Sequence, residues 1–151
     1  MRRMRCRGQS MIEFALIFPL FMLLVCGVFD FGRLFYTQLT LQSAVREASR
    51  LTVTGNLLPD PESPGDYLNR IDSIIQMVHN MAPGFQFEEN GIEIIGPGGA
   101  GDPGGPGDLV TIRVTYSVDL LTPLVKPFFT GGKHTFTISM ISKNEPFPDT
   151  T

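Results

Sequence analysis

Apolar residues dominate one stretch of the chain, residues 11–29, and Glu13 is the only charged residue in it. As an α-helix, these 19 residues would be roughly 28 Å long, close to the hydrocarbon thickness of a bilayer, about 30 Å. The pattern therefore predicts a transmembrane helix over residues 9–29. We expect Pro19 to kink this helix, a distortion that membrane helices tolerate when neighbouring groups satisfy the freed carbonyl.

The helical period continues beyond the apolar run. Apolar residues recur at helical spacing between residues 31 and 48, with polar residues between them. Branched residues followed by Gly55 are a stop signal. We predict one helix from about Ser10 to Leu51, with an amphipathic extension over residues 30–54.

Three charged residues of this helix are candidate functional residues. An ionisable group that enters hydrocarbon is costly unless it is paired, so Glu13 requires a partner or a position at interface depth. Asp30 and Arg33 are three residues apart, the spacing of side chains that meet on one helix face. We expect them to form an interfacial ion pair where the helix leaves the membrane.

The remainder of the chain predicts a small α+β domain. Three prolines in a short stretch indicate a linker over residues 55–65, followed by a helix capped by Asp66. Alternating residues predict strands at 109–118 and 134–142. Two further connections are predicted: a Phe85–Ile94 hairpin around Asn90–Gly91 and a flexible, glycine-rich hairpin connection at 96–108. The remaining expectations are a sheltered apolar connection at 120–129, an extracytoplasmic domain over 66–145 and a disordered tail at 146–151.

The predicted fold class is therefore α+β. A long N-terminal transmembrane and amphipathic spine helix is followed by one short helix and a small antiparallel sheet of about three to four strands, an arrangement like that of a pilin.

Charge is distributed asymmetrically along the chain. Residues 1–8 carry four arginines and no acid, which leaves eight basic and fifteen acidic residues for the remainder. This basic leader predicts a cytoplasmic N-terminus and an exported body, and the acidic body argues against nucleic-acid binding. A cleaved secretory signal peptide is the rival interpretation. The length of the apolar run and the lack of an A-x-A-like cleavage site favour a retained helix.

No pattern in the sequence indicates enzymatic chemistry or a cofactor. The glycine-rich stretch lacks the Gly-Lys-Ser/Thr of a phosphate-binding loop. The acids near it and in the linker lack EF-hand spacing, and neither His79 nor His134 has a cysteine or another histidine nearby. We therefore predict no metal site, no cofactor and no catalytic residue. An anchored hydrolase is a further possibility with no sequence feature in its favour.

The N-terminal block resembles a known motif. The run Gly8-Gln9-Ser10-Met11-Ile12-Glu13-Phe14 is similar to the leader-cleavage motif of type IV pilins and pseudopilins. Over residues 7–50, and less densely over 108–142, the chain resembles the TadE-like pseudopilins of the tight-adherence (Tad/Flp) pilus. Phe14 stands where Flp-type pilins favour tyrosine.

This resemblance implies a minor pseudopilin-like protein for pilus assembly in the bacterial inner membrane, with its C-terminal domain extracytoplasmic. A prepilin peptidase would cut between Gly8 and Gln9, and Glu13 with Phe14 would set the register between subunits. The implied partners are other pseudopilins or pilin subunits, the peptidase and the inner-membrane pilus assembly platform. The alternative is an unprocessed, membrane-anchored extracytoplasmic binding module, in which Glu13 is solvated at the interface.

Overall fold

The computed structural model describes residues 7–88, 90–120, 122 and 132–146. The chain divides into two compact units, one within Met1–Phe35 and Val118–His134 and the other within Tyr36–Ser117 and Thr135–Thr151. Most of the basic leader, most of the apolar connection at 120–129 and all but the first residue of the predicted tail lie outside the described residues.

Helix α1 covers Arg7–Thr54 and continues through Pro19. It starts three residues before the predicted position and ends at the predicted stop, where Gly55 adopts a positive φ of 69° and its amide donates to the Leu51 carbonyl at 3.1 Å. Glycine accommodates this left-handed conformation without a Cβ clash. The prediction of one long N-terminal helix is confirmed.

Helix α2 covers Arg70–Met81, and its predicted cap was wrong. Asn69, not Asp66, caps the helix, because the Asn69 side chain accepts a hydrogen bond from the Asp72 amide at 2.7 Å. The chain before Asn69 is folded back on itself, with a bridge between Pro59 and Tyr67. Asp66 lies in this folded segment, so the helix begins only after it.

The described strands form one antiparallel sheet in the order β2-β1-β3-β4. They are β1 (Ile92–Gly96), β2 (Gly99–Ala100), β3 (Leu109–Asp119) and β4 (Lys133–Lys143). Strands β3 and β4 confirm the two clearest strand predictions, and β1 places Ile94 opposite Ile112.

Two expectations about the connections were wrong. The residues around Phe85 and Phe87 form no strand; their rings instead contact Tyr116, at centroid distances of 5.0 and 5.7 Å. Part of the glycine-rich stretch is also ordered as β2, whose Gly99 pairs with Gly96 of β1.

The hydrophobic core lies in the second unit. It is built from the second half of α1, from α2 and from the sheet. The fully buried apolar side chains include Leu41, Val45, Ile74, Val78, Val110, Ile112 and Val114. One face of the C-terminal part of α1 therefore packs into the core of the α+β domain. The N-terminal part of α1, up to Phe35, belongs to the other unit.

Candidate functional site in the N-terminal helix

The predicted processing and assembly residues lie in the first two turns of α1. The Gln9 side-chain amide donates to the Glu13 carboxylate over 3.2 Å, and both side chains are exposed. A neutral amide satisfies one oxygen but leaves the negative charge uncompensated. Among the described residues, no ion pair includes Glu13. The structure thus brings Gln9 and Glu13 together and leaves the charge of Glu13 at the helix surface.

The helix surface beyond Glu13 is apolar on all sides. Phe14 is 65% exposed and its ring stacks on Phe18, with centroids 5.2 Å apart. In the most apolar 18-residue stretch of this helix, no residue is buried in the protein. By length and composition, α1 is a candidate membrane span, and an exposed surface of this kind requires either lipid or other apolar helices around it.

Arg33 contacts the last residue of β3, and Asp30 contacts the chain just after it. The Asp30 carboxylate is buried and accepts the backbone amide of Thr122 over 2.8 Å. The Arg33 guanidinium donates to the Asp119 carbonyl over 3.4 Å. These contacts join residues about 90 positions apart in sequence, and they lie within the first unit. The ion pair between Asp30 and Arg33 stays a prediction.

Sequence reasoning missed the three residues that complete this region. Asp119, Thr122 and Lys133 carry no local motif. Lys133 Nζ lies 3.8 Å from the Asp119 carboxylate, and the Leu120 amide donates to the Gly132 carbonyl at 3.1 Å. The chain leaving β3 and the chain entering β4 are thereby held together. The one sequence signal that could have pointed to them is the position of Asp30 directly after the apolar run, where a carboxylate that became buried would need a donor.

The glycine-rich stretch is organised around an aspartate. The Asp102 carboxylate accepts the amides of Gly98 and Gly104 at 2.7 and 2.9 Å. These two hydrogen bonds, with a smaller contribution from the Arg70 charge, hold the pKa of Asp102 below its usual 3.8. Asp108 similarly accepts the Gly105 amide at 2.7 Å. Both acids therefore serve the conformation of their own loop.

The N-terminal helix is a candidate membrane span, and a small α+β domain follows it. The protein therefore falls in the class that combines an apolar N-terminal helix with a C-terminal α+β domain. The family model described as TadE-like protein matches residues 8–50, a segment that includes nearly all of α1. This family is associated with the Tad pilus. No curated protein and no solved structure matches the chain.

Proposed function

We propose that this protein is a minor pseudopilin-like subunit for assembly of Tad/Flp pili, cut by a prepilin peptidase between Gly8 and Gln9. The observation that carries the proposal is the coincidence of the TadE-like segment with one continuous helix. Over residues 9–29 this helix exposes an apolar surface with a single charge, that of Glu13. Such a surface suits lateral packing of helices within a membrane.

Glu13 is suited to a role in subunit register. Cleavage would create an α-amine on Gln9, one helical turn from this carboxylate. Two opposite charges in a low-dielectric environment are tolerable when they meet, whereas either alone resists burial. We propose that Glu13 receives the terminal amine of a neighbouring subunit and gives up its present hydrogen bond to the Gln9 side chain. The pair would fix the axial offset between adjacent helices.

The proposed cleavage site lies inside the first turn of α1, which starts at Arg7. The first amides of a helix have no intrahelical acceptor, and glycine lowers helix stability by about 1 kcal/mol relative to alanine. Unwinding at Gly8 is therefore inexpensive. This supports access of a peptidase to the Gly8–Gln9 bond without disturbance of the apolar helix that follows.

The proposed orientation follows from charge. The arginines of residues 1–8 precede the span and the acidic body follows it, so we infer a cytoplasmic N-terminus, a single span in the inner membrane and an exported α+β domain. The proposed partners are other pseudopilins or pilin subunits, the prepilin peptidase and the inner-membrane assembly platform.

The deciding experiment is the intact mass of the protein purified from its native membrane, with and without the prepilin peptidase. We expect a start at Gln9 with a free amine, and only when the peptidase is present. Retention of the leader in both strains would reject the proposal in favour of the unprocessed anchored module. A start beyond Gly27 would indicate a secreted domain and reject both.

A second experiment isolates the role of Glu13. In a Glu13→Gln variant we expect normal cleavage but a loss of surface pili of more than tenfold, because removing one member of a buried ion pair costs about 3–5 kcal/mol. Glu62→Gln is the matched control, since Glu62 is exposed outside the helix and the charge change is identical. Wild-type piliation in Glu13→Gln would show that register does not depend on this carboxylate.

A further inference from the structure

The buried carboxylate of Asp30 marks the depth at which α1 leaves the membrane. Asp30 directly follows Phe29, the last residue of the apolar run, yet it is only 7% exposed. It accepts the Thr122 amide over 2.8 Å. Any residue that contacts Asp30 must lie near the same depth, and Thr122 is therefore held at the level of the helix exit.

The residues around this contact form a compact group in the first unit, which we name the exit cluster: Asp30, Arg33, Asp119, Thr122 and Lys133. Its position along the helix can be compared with the thickness of a bilayer. The headgroup layer on each side of the hydrocarbon is roughly 5–7 Å thick, from a total of about 40–45 Å and a core of about 30 Å. Arg33 lies four residues beyond Phe29, roughly 6 Å along the helix axis, and so falls within this layer.

The helix surface at the same level is aromatic and exposed. Phe29 and Phe31 are 66% and 62% exposed, and Phe35 is 49% exposed. The rings of Phe31 and Phe35 contact each other at a centroid distance of 4.6 Å. This apolar surface is continuous with that of the candidate span, and aromatic side chains are favoured at the boundary between hydrocarbon and headgroups. Continuity with the span therefore favours lipid as the occupant of this surface.

The exit cluster also presents positive charge outwards. Arg33 is exposed, and one of its N–H groups donates to the Asp119 carbonyl. A guanidinium has five N–H donors, so this hydrogen bond uses only one of them. The Lys133 side chain is 54% exposed and lies 3.8 Å from Asp119, whose side chain is 72% exposed. Because Asp30 is buried, the exposed charges of the cluster are those of Arg33, Lys133 and Asp119, a net charge of +1, which suits the phosphate groups of phospholipids.

We propose that the exit cluster lies in the headgroup layer of the leaflet from which α1 emerges, where Arg33 and Lys133 bind lipid phosphate. Asp30 is the positioning residue, because its bond to the Thr122 amide holds Thr122 at this level. Binding of lipid by the exit cluster is a role separate from processing and from subunit register. This placement rests on the transmembrane helix of the proposed function.

Depth-dependent fluorescence quenching tests the placement. The full chain, with Cys6→Ser and Cys26→Ser, is reconstituted in phosphatidylcholine vesicles containing phosphatidylglycerol and a lipid spin-labelled in the headgroup or in the acyl chain. A bimane probe is attached at Asp119→Cys or, independently, at Phe31→Cys. We expect stronger quenching by the headgroup label than by the acyl-chain label at both sites.

Two further probe sites calibrate the measurement. Leu24 is 61% exposed within the apolar run, five residues before its end at Phe29, and we expect the acyl-chain label to quench a probe at Leu24→Cys most. Ser139→Cys is an exposed site on β4, roughly 20 Å along the strand from Lys133, and we expect neither label to quench it. Strong quenching at Leu24 with none at Asp119 would overturn the inference and leave the span intact. No quenching at Leu24 would reject the span itself, and the inference with it.

The role of the two cations is tested in the Asp119→Cys background. Arg33→Gln with Lys133→Gln should lower the ratio of lipid-bound to released probe by roughly fivefold per cation, the equivalent of about 1 kcal/mol each near an anionic leaflet. Arg46→Gln with Lys143→Gln is the matched control, since both residues are exposed and lie on the same two elements. Equal effects of the two double variants would overturn the assignment. Headgroup quenching that disappears when unlabelled protein is added to the same vesicles would assign the surface to a second copy of the chain, and would also overturn it.

Discussion

Removal of the Asp30 carboxylate should release the chain at Thr122 from α1. The Thr122 amide is buried and donates to Asp30 over 2.8 Å. A hydrogen bond to a charged group contributes about 1.5–3 kcal/mol, and each 1.4 kcal/mol corresponds to about a tenfold change in an equilibrium. In Asp30→Ala, local opening at Thr122 should therefore become about 10- to 150-fold more frequent.

Amide hydrogen exchange of the full chain in a lipid nanodisc measures this opening directly, because exchange of a buried amide reports the population of its open state. Asp30→Asn retains an acceptor oxygen without the charge, and we expect it to fall between the wild type and Asp30→Ala. Asp119→Asn is the control. Arg33 donates to the backbone carbonyl of Asp119, which this substitution keeps, and the exposed ion pair between the Asp119 carboxylate and Lys133 contributes at most about 1 kcal/mol.

An unchanged exchange rate at Thr122 in Asp30→Ala would refute the reasoning. So would equal acceleration in Asp119→Asn, because the effect would then not depend on the buried carboxylate.

Three further predictions concern the α+β domain, each measured on the full chain in mild detergent by near-ultraviolet circular dichroism during urea unfolding. Ile112→Ala should lower the free energy of unfolding by about 2–5 kcal/mol, because Ile112 is fully buried, whereas Thr137→Ala on the exposed face of β4 should change it by less than about 0.5 kcal/mol; similar losses would contradict the assigned core. Gly96→Ala should lower the free energy of unfolding by about 1–3 kcal/mol, because the added Cβ would lie 2.6 Å from the Asp102 carbonyl oxygen. Gly32→Ala is its control: an added Cβ there has no atom within 4 Å, so this variant should be neutral or stabilising. A larger loss in Gly32→Ala than in Gly96→Ala would be inconsistent with the loop structure. The lowered pKa of Asp102 means that its carboxylate stabilises the fold fully above its usual pKa of 3.8 and progressively less as pH falls through the pKa of the folded protein. The difference in unfolding free energy between the wild type and Asp102→Ala should therefore shrink over that acidic range. A difference that stays constant with pH would exclude the charge as its source.

Local patterns were sufficient to predict most elements of the fold. The end of α1 at Gly55 and the extents of β3 and β4 follow from hydrophobic period and from glycine, signals contained within a few residues. The cap of α2 was predicted wrongly because two residues, Asp66 and Asn69, have side chains of the same capping ability. The bridge between Pro59 and Tyr67 decides between them, and such a pairing has no local signature.

The aromatic residues before β1 show the same limit. Phe85 and Phe87 alternate as a strand would, but their rings pack against Tyr116 of β3. Tyr116 becomes available as a packing partner only in the folded domain. Phe85 and Phe87 therefore pack their rings against it and do not form a strand. β2 was missed for a related reason, since two residues rich in glycine have little strand propensity until β1 offers them a partner.

By itself, the sequence determined the candidate span, the position of Glu13 and the resemblance over the TadE-like segment, because each depends on the order of residues along one helix. The tertiary structure alone decided the surroundings of Asp30. Its buried carboxylate required a donor, but the donor is the amide of Thr122, 92 positions further along the chain. Backbone amides are chemically alike at almost every residue, so only the fold selects which one a buried charge will find.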